Sequence, residues 1–311
     1  MLNLRLKTLF NLISALVLTA CAIPMAQAQY LGFNAVGDYG LKSGSQPDPG
    51  IYVLAPTYYR ANYDGLRNSK GESVGSNINV NMEFLITGAQ VTTEKKFLGA
   101  TYGFQVLPIF INNRLTLPTP DITKSTGFGW GDMYFQPINL GWRKKRADFM
   151  AAYGIWAPTG TKGRSLNFWG HEIAGGSTLY FDDAKKWHVA GTGFFDMHQT
   201  RTDKDIKVGN YLTVEGGAGR SFLKGAGMAG LAYAMQWKVS NDSGADVAAL
   251  LRGNKNQVYG IGPSIRMPVF AKGKVVGLVT ATYLREFGAR TNFEGNIFMV
   301  GFTLARLNHM P

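Results

Sequence analysis

Cysteine is almost missing: Cys21 is the only one in 311 residues. That excludes a disulfide framework and any cysteine-based metal site. The four histidines, His171, His188, His198 and His309, have no HxH or HExxH spacing, so no metal and no cofactor are expected. Charged residues make up only 17%, and no apolar run beyond residue 25 is long enough for a membrane-spanning helix. The mean hydropathy of −0.06 agrees. A helical membrane protein is therefore excluded. A transmembrane β-barrel is not, because polar lumen residues dilute its apolar signal.

What is present is glycine, 39 residues, together with 13% aromatics and a formal charge of +12. The basic residues gather in short turns: Lys95 and Lys96, Arg143 to Arg146, Lys185 and Lys186, Lys224, Lys272 and Lys274. A nucleic-acid binder would cluster them on one face, so no nucleic-acid partner is expected. Solvated rims touching lipid head groups fit better.

The first 28 residues read as a secretory signal peptide. They have a basic start, an apolar run from Leu9 to Ile23, and Ala26-Gln27-Ala28 as a cleavage motif. Cleavage after Ala28 is the favoured reading. Leu18-Thr19-Ala20-Cys21 offers lipidation of Cys21 as a second. Residues 29–50 form a lead-in or plug segment, 51–307 the barrel and 308–311 a short tail.

From residue 51, period-two alternation recurs. Ser76 to Thr93 carries it most cleanly. Ile78, Val80, Met82, Phe84 and Ile86 share one face, and Asn77, Asn79, Asn81 and Glu83 the other. The rest divides into strands near 51–64, 97–112, 126–142, 147–157, 171–182, 187–200, 209–223, 227–240, 256–270, 274–287 and 292–307. Pro137 suggests a bulge where the apolar register switches. The connections alternate long and short, and the count is about twelve. These features predict an all-β fold, a transmembrane antiparallel up-and-down β-barrel in the outer membrane of a Gram-negative cell.

With apolar faces turned to lipid, the expected lumen residues are Asn77, Asn79, Asn81, Glu83, Gln105, Asp132, Gln136, Glu215, Lys238 and Arg266. They could contact solute, or simply brace and solvate the wall. Trp130, Trp142, Trp156, Trp187 and Trp237 are expected to form aromatic girdles at the two lipid interfaces. No catalytic residue is expected. Twelve strands predict a narrow lumen.

Four motifs, Gly37-Asp38-Tyr39, Pro49-Gly50-Ile51-Tyr52, Gly129-Trp130-Gly131-Asp132 and Pro158-Thr159-Gly160, then carry a resemblance. In order and spacing they resemble the outer-membrane transporter family named for the meta-pathway of phenol degradation, across about residues 37 to 307. The resemblance implies a barrel that passes small hydrophobic or aromatic solutes. Its partners would be outer-membrane lipid, the solute and the barrel-insertion machinery. The family offers no catalytic residues. One departure is the end of the chain. Many such barrels finish on Phe or Trp, whereas here Phe298, Val300, Phe302 and Leu304 precede a tail.

Two other classes compete. An outer-membrane barrel enzyme of lipase type needs a histidine activating a serine in the wall, and no His-x-Ser occurs. A structural or adhesive surface barrel predicts dominant loops, and those expected here are short.

Overall fold

The computed structural model describes residues 36–74, 78–118, 121–248, 253 and 255–304. The expected signal peptide, residues 29–35, Asn77 and the tail lie outside the described residues. Fifteen strand segments follow one another: β1 (Gly50–Arg67), β2 (Asn79–Phe97), β3 (Ala100–Leu107), β4 (Ile109–Pro118), β5 (Asp121–Ser125), β6 (Gly129–Trp130), β7 (Met133–Arg143) and β8 (Ala147–Ala157). After these come β9 (Gly170–Tyr180), β10 (Trp187–His198), β11 (Tyr211–Phe222), β12 (Gly227–Lys238), β13 (Gln257–Ala271), β14 (Lys274–Arg290) and β15 (Asn292–Leu304).

They build twelve staves. Pro108 divides β3 from β4, and β5, β6 and β7 are successive pieces of the stave that returns beside them. Every pairing is antiparallel to the neighbour in sequence, and β1 pairs with both β2 and β15. The sheet is therefore closed, which leaves no edge whose N–H and C=O groups would lie unpaired in lipid.

Burial alternates along each stave. In β10, His188, Ala190, Thr192, Phe194, Asp196 and His198 are buried, and the residues between them are not. The intervening face carries the apolar belt: Phe149, Ile173, Leu231, Ile261, Ile265, Phe298 and Val300 are all exposed. Large apolar side chains pointing out of a closed barrel match a lipid solvent. The predicted bulge at Pro137 is present, because the β7–β8 register shifts between Phe135 and Ile138 and leaves both exposed.

Turn positions differ in places from the sequence reading. The connection predicted at Thr93 to Lys96 lies at Leu98-Gly99, which supply φ of 51° and 75°. Two consecutive left-handed residues make the tight hairpin there, so Glu94, Lys95 and Lys96 remain in β2. The predicted loop 113–125 is largely a hairpin of β4 and β5. The connection expected between residues 287 and 292 tightens to a turn at Thr291, with φ 47°.

Candidate lumen site

Two elements meet inside the barrel, its inward wall and the segment 36–49. The segment's 3₁₀ turn Gly40–Lys42 lies against β10, β11 and β12. Leu41 is 3% exposed and belongs to a cluster with Tyr59, Ala61, Met228, Leu284 and Ile297. The Tyr39 ring sits 4.5 Å from that of Phe194. Polar contacts continue along the segment. Ser43 Oγ donates to the Glu215 carbonyl at 3.1 Å, and Ser45 Oγ to Asp148 at 2.9 Å. Gln46 Nε2 donates to the Asn139 carbonyl at 2.8 Å, and Arg143 Nη2 to the Gln46 carbonyl at 2.8 Å.

Small residues make room for it. A Cβ at Gly44 would lie 2.1 Å from the Ser177 carbonyl carbon, and one at Gly141 2.6 Å from the Gln46 side chain. Glycine is needed at both for close approach rather than for backbone conformation.

Above the segment, towards the long loops, lies a cavity of about 440 Å³. Val80, Met82, Phe84, Ile86, Leu107, Ile109 and Trp156 form its apolar wall, and Val36, Asp38 and Tyr39 of the segment also line it. This reverses the prediction for β2. Tyr59, Ala61 and Tyr63, all buried, pair directly with Phe84, Met82 and Val80. Direct cross-strand partners share a face, so the apolar side of β2 points inward.

Asn79, Asn81 and Glu83 consequently point outward and do not line the lumen. They satisfy one another and their neighbours on the outer wall near the long-loop end. Asn79 Nδ2 donates to Asn62 at 2.9 Å, Arg60 Nη2 to Asn81 at 3.2 Å, and Asn112 Nδ2 to Glu83 at 2.8 Å. Alternation separates two faces but does not say which is inside. Here the lumen is the more apolar environment along this stretch, and lower in β2 the outward positions become Leu85, Ala89 and Val91.

The remaining predicted lumen residues do point inward. Gln105 lines the cavity and pairs with Gln136, which is fully buried. Gln136 accepts from Asn139 and donates to the Tyr134 hydroxyl. Glu215 is buried opposite Thr192. Lys238 is buried and paired with Asp242 at 2.5 Å. Arg266 shares the inward face with buried Ser264. Asp132 lines the cavity rim, where its carboxylate accepts from the Gly160 and Leu166 N–H groups at 3.0 and 2.8 Å. That ties the 158–169 loop to the stave between β6 and β7.

Of the five predicted girdle tryptophans, Trp156 is turned inward, because it pairs with buried Tyr134 and its ring lies 4.7 Å from that ring. Trp142, opposite exposed Phe149, and Trp187, under the Arg220 guanidinium, face outward at the short-turn end. At the other end Trp237 Nε1 donates to the Tyr259 hydroxyl, and Trp130 stacks edge-on to Phe110.

Sequence reasoning missed the middle of the lumen. Glu172 and Asp196 are direct partners across β9 and β10, both buried, with Tyr134 donating to Glu172 at 2.7 Å. Asp38 joins them from the segment. Although it opens on the cavity, its place deep in the barrel, and next the charge of Glu172, push its carboxyl up to about 7. The parity of Asp196 with His188, Ala190 and Phe194 was the available signal.

This geometry, a closed twelve-stave barrel with apolar exterior and filled lumen, is that of the outer-membrane β-barrels. The chain belongs to the family described as "Putative MetA-pathway of phenol degradation", whose profile matches residues 63–302. Among solved structures it is similar to the COG4313 outer membrane channel from Pseudomonas putida F1, at 13% identity and a TM-score of 0.71. That match covers 86% of this chain and 98% of the other. A looser likeness is to the β domain of the Bordetella autotransporter BrkA, at 11% identity and a TM-score of 0.45, covering 83% and 99%. No curated protein matches the sequence.

Proposed function

We propose that this protein is an outer-membrane channel that passes small hydrophobic or aromatic solutes through its lumen, with the short turns towards the periplasm. The observation that carries the proposal is the apolar wall of the 440 Å³ cavity. A lumen built to pass polar solutes would not turn Val80, Met82, Phe84 and Ile86 inward while leaving Asn79, Asn81 and Glu83 outside. Burying apolar solute surface against such a wall contributes about 25 cal/mol per Å². The segment 36–49 plugs the lumen below that cavity, so solute enters a closed chamber rather than an open pore. Its seat consists of hydrogen bonds, the Arg143–Asp48 ion pair and the apolar contacts of Leu41 and Tyr39, which local movement can release.

The reading is non-enzymatic. His171, on the outward face of β9 with exposed Ile173, is hydrogen-bonded to the Tyr153 hydroxyl at 2.8 Å, an arrangement unlike a base poised on a serine.

Titration of the detergent-solubilised protein with a naphthalene probe tests the binding step. Saturable quenching that disappears in Trp156→Phe is expected. Linear quenching that is identical in the variant would overturn the proposal.

A further inference from the structure

Below the segment, at the short-turn end of the lumen, side-chain donors outnumber acceptors. Four cations face this space: Lys42 on the segment, Arg143 at the end of β7, Lys185 in the β9–β10 turn and Arg266 on β13. Two carboxylates answer them. Asp148 takes Lys185 at 2.9 Å and also accepts from Tyr180 and Ser45, while Asp48 takes Arg143. Lys42 lies over the Tyr180 ring at 5.2 Å, and neither it nor Arg266 has a carboxylate within salt-bridge distance among the described residues. The charge of Arg266 reaches Lys42. Burial, and then this repulsion together with that of Lys185 and Arg143, outweighs the pull of Asp148 and holds the Lys42 ammonium below the ordinary lysine range.

Two more buried polar side chains sit beside them. His188 is 1% exposed, its Nδ1 turned to the Lys186 carbonyl and its Nε2 without a partner among the described residues. Ser221 is 3% exposed, and its Oγ likewise has no partner there. The register brings these residues together. His188 pairs with Gly219, two residues from Ser221 along the inward face, while Ser221 pairs with Met228 and Met228 with Arg266. The charges of Lys42 and Arg266 both reach His188.

Buried donors left without acceptors cost free energy, and two like charges add to that cost unless an anion lies between them. We propose that Lys42, His188, Ser221 and Arg266 form a binding site for a compact oxyanion, a carboxylate or a phosphate, at the short-turn end of the lumen. Arg266 and Lys42 supply the charge and Ser221 Oγ a neutral donor, while His188, whose Nδ1–H is taken by the Lys186 carbonyl, donates from Nε2 only as the imidazolium that a bound anion favours. Because Lys42 belongs to the segment and the other three to the wall, the bound anion also ties the segment to its seat. A free anion and the carboxylate of an amphiphilic solute share this chemistry. The site stands independently of the hydrophobic cavity above it.

Calorimetric titration of the full-length protein in detergent with inorganic phosphate, and separately with benzoate, provides the test. Saturable binding of at least one is expected, weakened about tenfold or more in Arg266→Gln, in line with a charge-assisted hydrogen bond. Tighter binding of phosphate identifies a free-anion site, and tighter binding of benzoate a solute carboxylate. Lys42→Gln lies outside the barrel wall and keeps the test available if Arg266→Gln fails to fold; it too should weaken binding. No saturable binding of either probe to the folded wild-type barrel, or unchanged binding in both variants, overturns the proposal.

Discussion

The Tyr58 hydroxyl donates to a Glu83 carboxylate oxygen at 2.6 Å, on the face of the β1–β2 pair that points away from the lumen. Tyr59 and Phe84, one residue further along each strand, meet edge-to-face at 5.3 Å on the inside. One strand pair therefore separates a polar outer ladder from an apolar inner wall.

A charge reversal at Glu83 should leave ion selectivity unchanged. Glu83→Lys loses the bonds from Tyr58 and Asn112, so unfolding should become easier by about 1–2 kcal/mol. Reversal potentials in planar bilayers and urea midpoints read the two effects separately. A shifted reversal potential would place Glu83 back in the lumen.

Neighbouring residues should behave oppositely. Met82→Gln keeps the side-chain length but puts an amide on the apolar wall. Hydrophobic-probe affinity should fall about fivefold, for a loss of roughly 1 kcal/mol of apolar burial. Asn81→Ala, on the outer face, should leave affinity unchanged. Equal effects from the two would contradict the inward placement of Met82.

Gly44→Val should displace the plug. The added Cβ cannot coexist with the Ser177 backbone, so the segment must shift while the wall stays intact. Liposome swelling with a small sugar should speed up over wild type, with the heat-shifted mobility of the folded barrel retained. Unchanged swelling would mean that the segment does not limit the lumen.

Asp38 gives the plug a pH dependence. Its carboxyl is raised to about 7 when the segment is seated, above the ordinary value in the released chain. The seated state then holds the proton more tightly, so seating is most favourable below about pH 4 and weakens as pH rises through about 7. Conductance should increase between roughly pH 4 and 7 and level off above that, and Asp38→Asn should flatten the rise. The same slope in the variant would assign the dependence elsewhere.

Asp132→Ala should loosen the external loops. It removes acceptors for the Gly160 and Leu166 N–H groups, at a cost of about 1–3 kcal/mol. Faster proteolytic cleavage within 158–169, with the barrel otherwise resistant, is expected. Unchanged cleavage would show that other contacts hold that loop.

Much of this protein follows from the sequence alone. Period-two alternation, the alternation of long and short connections, and the shortage of cysteine and of long apolar runs determined a closed twelve-stave barrel. They did so because each constraint is local to a strand or turn. Gln105, Gln136, Glu215, Lys238 and Arg266 were legible as inward residues because their strands follow the ordinary barrel rule. Only tertiary structure decided the orientation of β2 and of Trp156. A strand with two well-separated faces fits either way round until its partners are known, and buried Tyr59, Ala61 and Tyr63 turn the apolar face of β2 inward. The seating of residues 36–49 was equally beyond the sequence. Its contacts join Gln46 to Asn139 and Ser43 to Glu215, pairs 93 and 172 residues apart, and no periodicity encodes separations of that length.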